Sequence, residues 1–129
     1  MSVGLVIVTH GSTGESLIEE AGFVLGQLPE EIFTVAFNHA TDMEGSLQLV
    51  RSCMEQADSG EGVLVLTDLI GASPSNLVGE MLEDYHAVMV TGANLSMLIC
   101  ACNYRGKPLE MMVRKVVESG KRSVKIFQK

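Results

Sequence analysis

Apolar positions along this chain alternate between two spacings. Residues 3–9 (VGLVIVT), 32–37 (IFTVAF), 62–67 (GVLVLT) and 87–91 (AVMVT) are short, almost continuous apolar runs rich in Val, Ile and Leu, the pattern of strands covered on both faces. Between them the spacing turns helical. Residues 15–28 set Leu17, Ile18, Ala21, Val24, Leu25 and Leu28 on one side, and 43–57 do the same with Met43, Leu47, Val50 and Met54, as crossover helices require. Further helices are predicted over 74–84, 95–103 and 108–119, the last stopped by Gly120, and SVKIF at 123–127 reads as a short final strand. Strands alternating with helices predict an α/β fold: a mainly parallel, doubly wound sheet of four strands plus the short C-terminal one, with helices on both faces.

Length and composition fit one such domain over 1–129, a size at which roughly two-thirds of the unfolded surface is buried and no staples are needed. With 9 Lys plus Arg against 16 Asp plus Glu the net charge is -7. That sign argues against nucleic-acid or anionic-membrane binding, both of which rest on Lys and Arg. A basic protein partner suits it better. Cys53, Cys100 and Cys102 form no C-x-x-C pair, so they read as buried free thiols of a reducing, cytoplasmic environment. The opening MSVGLVIVTHG lacks a basic leader and is too short for a span. The eight methionines read mostly as core filler.

In doubly wound sheets ligands bind beyond the carboxyl ends of the strands. Three segments reach that edge with unusual chemistry: THGSTG at 9–14, TDLIGASPSN at 67–76 and TGANLSML at 91–98. If the first and third strands are neighbours, His10 and Asp68 meet there. A carboxylate beside an imidazole takes the proton of one ring nitrogen, fixes the tautomer and leaves the other lone pair aimed outward. Ser73 followed by Pro74 is a strong helix opening, and Gly71 with Ala72 lets backbone amides close on an anion. A phosphoryl group fits such a cradle.

Each feature has a plainer role on its own. His10 could be an edge histidine and Asp68 a strand-ending cap. The turn at 11–14 has neither a P-loop lysine nor a dinucleotide fingerprint. Their coincidence at one edge is what favours chemistry. His39, ending the second strand, and His86, preceding the fourth at the opposite edge, lack such company and read as structural or surface residues.

Together, VIVTHG, TDLIGASPSN and GANLSML resemble the IIA domain of the mannose-type (mannose/fructose/sorbose) family of the bacterial phosphoenolpyruvate-dependent sugar phosphotransferase system, over essentially the whole chain. The resemblance implies a cytoplasmic histidine phosphocarrier that takes a phosphoryl group from HPr and passes it to a IIB protein, here in trans because no IIB domain is seen on the chain. It makes His10 the phosphorylated residue through Nε2, Asp68 its hydrogen-bonding partner, and Gly11, Gly71, Ala72 and Ser73 the groups around the phosphoryl oxygens. It implies no cofactor and no metal, and a homodimer in which the C-terminal strand is exchanged. Ala72 stands where the family often has a second glycine, and Ser96 where it often has proline. Neither position carries a reacting group, so these changes bear on partner choice.

Three other classes compete. A receiver domain would phosphorylate Asp68, but needs an acidic pair after the first strand, where Thr9 and His10 stand. A Ser73–His10–Asp68 hydrolase would need a G-x-S-x-G elbow, which is absent. A regulatory phosphohistidine protein without its own sugar permease shares every motif with the transporter component.

Overall fold

A computed structural model of the chain describes residues 2–37, 43–69 and 73–128. Four parallel strands, β1 (Gly4–His10), β2 (Ile32–Phe37), β3 (Val63–Thr67) and β4 (Ala87–Val90), form one sheet in the order β2-β1-β3-β4. The helices are α1 (Thr13–Leu25), α2 (Met43–Ala57), α3 (Ser73–Met81), α4 (Leu95–Asn103) and α5 (Leu109–Arg122), with a single 3₁₀ turn at Leu82–Asp84.

Alternation along the strands feeds two cores. Leu5, Ile7, Leu64 and Leu66 pack with Ala21 of α1, Met97 and Leu98 of α4, and Met112 and Val116 of α5. On the other face Val6, Val8, Val63 and Val65 pack with Val50 and Met54 of α2 and Val78 and Met81 of α3. This is why β1 and β3 read as unbroken apolar runs: successive side chains enter different cores, and both are buried. Burial of an aliphatic side chain contributes roughly 1.5–3 kcal/mol, and Leu5, Val6, Val8, Leu64 and Val65 are all 0% exposed.

Three expectations need correction. The run at 123–127 forms no strand within the chain: α5 extends to Arg122 and residues 124–128 pair with no strand among the described residues. Gly120 does not stop α5 but lies buried within it, where a Cβ would come within 2.8 Å of the Met97 Cγ and Sδ atoms. It is a close-approach residue that lets α5 settle on α4. Lastly, α1 ends at Leu25 because Gly26 takes the left-handed conformation, φ 85°, and donates its N–H to Gly22 O. Leu28 therefore lies beyond the helix, and it and Val24 are exposed.

The free thiols are Cys53, buried, and Cys100 and Cys102, each half-buried. Burial pushes all three above the usual thiol range, which leaves them poor nucleophiles. Met54, Met81, Met97 and Met112 fill the two cores. No described helix is long and apolar enough to cross a membrane.

Candidate functional site

The strand order sets β1 between β2 and β3, with Val8 opposite Thr67 and His10 opposite Phe37. His10, the last residue of β1, and Asp68, the first residue after β3, emerge together from the carboxyl edge of neighbouring parallel strands. Asp68 Oδ2 accepts two hydrogen bonds from the same residue: the His10 backbone N–H at 2.9 Å and the His10 Nδ1 at 3.0 Å. A carboxylate only accepts, so Nδ1 is the donor, and in the neutral form of the ring the lone pair is then on Nε2. The imidazole is 52% exposed and the carboxylate 18%.

Burial pushes the Asp68 carboxyl up, but the two hydrogen bonds from His10, joined by the charge of the ring when it is protonated, outweigh it, so the group sits below its usual value. The anion is thereby kept beside the ring. Asp68 Oδ1 and Thr67 Oγ1 are buried with no hydrogen-bond partner among the described residues. Both lie at the end of β3.

The turn after β1 is built from the inside. Gly11 has φ 49°, in the left-handed region that favours glycine. It donates its N–H to Phe37 O, so that amide is committed to β2 and not to a ligand. What Gly11 does offer is space: a Cβ there would meet nothing within 4 Å. Ser12 stands at the N-cap of α1 but makes no side-chain cap bond. The hydroxyl of Thr9, 1% exposed, instead accepts the Gly14 N–H at 2.9 Å.

Of the residues singled out for the phosphoryl cradle, Ser73 begins α3, as the Ser-Pro opening predicts. Gly71 and Ala72, and the side chain of Ser73, lie outside the described residues, as does His39. His86 is exposed at the opposite end of the sheet, where its carbonyl accepts the Val63 N–H.

The segment at 91–98 does a different job from the other two. Asn94 caps α4 by accepting the Met97 N–H at 3.0 Å, and Ala93 donates its N–H to Thr67 O at 2.9 Å. That brace steadies the end of β3, directly before Asp68. Sequence reasoning missed the part played by Thr9, because a threonine five residues before a glycine carries no local sign of the contact. Among the described residues no group of three or more His, Cys, Asp or Glu is arranged to hold a metal ion.

Comparison with known proteins bears on this geometry. The mannose-specific EIIAB component of the phosphotransferase system of Escherichia coli (strain K12) is 29% identical over 131 residues, covering 99% of this chain and 40% of that protein. The chain thus spans less than half the length of that relative. The transcriptional regulatory protein LevR of Bacillus subtilis (strain 168) is 38% identical over 68 residues, 52% of this chain and 7% of that one. Among solved structures, the mannose/sorbose specific IIA subunit from Enterococcus faecalis superposes with a TM-score of 0.89 at 22% identity, covering 100% of this chain and 97% of that one. The model of the family EIIA-man, the phosphotransferase-system fructose IIA component, matches residues 4–119, a span that runs from β1 into α5 and takes in both His10 and Asp68, and the chain belongs to that family.

Proposed function

We propose that this chain carries a phosphoryl group on His10 Nε2, taking it from phospho-HPr and delivering it to a IIB domain or protein of a sugar phosphotransferase system. The observation that carries the reading is the 3.0 Å contact from His10 Nδ1 to Asp68 Oδ2 on a ring that is half open to solvent. In the transfer, the Nε2 lone pair forms a bond to phosphorus as the bond from phosphorus to the donor's ring nitrogen breaks, and the electron pair leaves with the donor. The ring that results keeps its Nδ1 proton and carries a positive charge. Asp68 stabilises that charge, while the open space above Gly11 receives the phosphoryl group, whose oxygens the family resemblance assigns to Gly71, Ala72 and Ser73. The phosphoryl group arrives already activated on nitrogen, so this route calls on neither nucleotide nor metal.

The reading carries the rest of the family pattern with it: work in the cytoplasm, an acidic surface (net charge -7) that attracts a carrier with a basic contact face, and a homodimer joined through the C-terminal run. Incubation with phosphoenolpyruvate, enzyme I and HPr is the test. Label should appear on the wild type, be lost in acid and persist in alkali, and be absent from His10→Ala; equal labelling of that variant would refute the assignment.

The match to a transcriptional regulator over 68 residues favours a second reading, in which the phosphorylated state is read by a regulatory protein. Chase of the labelled protein with IIB separates the two: discharge supports the transport relay, and a stable label supports regulation.

A further inference from the structure

We propose that Thr9 is a positioning residue for phosphoryl transfer at His10, acting through the first turn of α1. The inference rests on the reading of His10 as the phosphorylated residue, and it adds a residue that none of the motifs assigns. Thr9 is 1% exposed and cannot touch a partner protein. Its Oγ1 accepts the buried Gly14 N–H at 2.9 Å, across the four residues that carry the site. A helix start leaves its first N–H groups without partners, and a cap side chain ordinarily takes one of them. Here Ser12 does not, and the strand residue next to the reacting histidine does.

The fit around that bond is close. A Cβ on Gly14 would come within 3.1 Å of Ile7 Cγ2 and 3.3 Å of Thr9 Oγ1, so glycine at this position lets α1 begin directly against β1. His10 is then held from three directions. Asp68 takes its N–H and Nδ1, the Gly11 N–H ties the following peptide to Phe37 O, and Thr9 fixes where the turn ends. Removing the Thr9 oxygen leaves a buried N–H unpaired and frees the turn to shift. In-line transfer is sensitive to such shifts, with displacements of about an ångström costing up to roughly a hundredfold in rate.

Thr9→Val keeps the shape and the β-branch but deletes the acceptor, whereas Thr9→Ser keeps the oxygen. With phospho-HPr as donor, the Val variant should label at least about tenfold more slowly, with kcat reduced and KM for phospho-HPr unchanged, and the Ser variant should regain most of the rate. In nitrogen-15 NMR spectra the His10 ring of the Val variant should lose the single fixed tautomer. Wild-type labelling by Thr9→Val, or a Ser variant as slow as the Val one, would overturn the proposal. Hydrogen exchange on the unaltered protein covers the case in which Thr9→Val does not fold: the Gly14 amide should be protected like those of β1, and exchange as fast as at Ser12 and Thr13 would refute the bond. If the wild type takes no label, the His10 reading fails, while the ring spectra and amide exchange still report on Thr9.

Discussion

One oxygen of Asp68 holds both the backbone N–H and the ring Nδ1 of His10, at 2.9 and 3.0 Å. The carboxylate thus fixes where the histidine stands and which of its nitrogens faces away from it. Hydrogen bonds to a charged group contribute about 1.5–3 kcal/mol each, which in rate is about ten- to a hundredfold or slightly more. Asp68→Asn should slow the labelling of His10 by that order without abolishing it, since Nε2 is still present. Initial rates with phospho-HPr measure the effect, and an unchanged rate would remove Asp68 from the mechanism.

The same contact predicts a pH dependence of stability. The folded Asp68 carboxyl lies below its usual value. A depressed carboxyl contributes stability that is fully present above its unfolded pKa, about 3.9, and is lost as pH falls through the folded one. Denaturant titrations of wild type and Asp68→Asn should therefore show a gap that is steady at neutral pH and closes below about pH 4. A gap that widens in acid would contradict the ionised contact.

Much of this fold was legible in the residues, for physical reasons that also mark the limits. Continuous apolar runs such as Leu5–Val8 and Val63–Leu66 announce strands with a core on each side. From that follows a parallel sheet, and from the sheet the edge where His10 and Asp68 meet. Boundaries set by long-range contact were not legible. Gly120 has the local look of a stop and is in fact the residue that admits Met97. The run 123–127 has the composition of a strand, but a strand is made by its neighbour, and nothing local says whether this chain supplies one. Thr9 likewise shows its purpose only once α1 is seen to start against β1.

At the far end of the sheet, Arg105 ties three stretches of chain together. It donates from Nε to Val3 O at 3.2 Å and from Nη1 to Glu30 O at 2.7 Å, with Nη2 directed at Glu31 O at 3.4 Å. Glu31 has φ 57°, a left-handed conformation that costs a non-glycine residue roughly 1–2 kcal/mol. Arg105→Ala should lower stability by about 1–3 kcal/mol and leave His10 labelling unaltered, because Val3 and His10 lie at opposite ends of the β1 region. Urea unfolding and labelling rates report the two effects separately. A variant as stable as wild type but slow to label would show instead that the clamp serves the site.

The C-terminal run is the expected joint of a dimer. Val124, Ile126 and Phe127 are 80%, 87% and 95% exposed, an uncovered apolar set at alternating and adjacent positions, while β4 has one side unpaired among the described residues. Covering three such side chains contributes about 5–9 kcal/mol per tail. A symmetric exchange covers two tails, enough to meet an association cost of about 4–15 kcal/mol, whereas a single tail would barely do so. Reciprocal exchange onto the partner's edge is therefore the arrangement expected to hold at micromolar concentration. Sedimentation equilibrium should give twice the chain mass for wild type and the chain mass for Ile126→Asp/Phe127→Asp, with unchanged circular dichroism in the helical region. A wild-type monomer under these conditions, or a dimer that survives both aspartates, would exclude the tail as the joint.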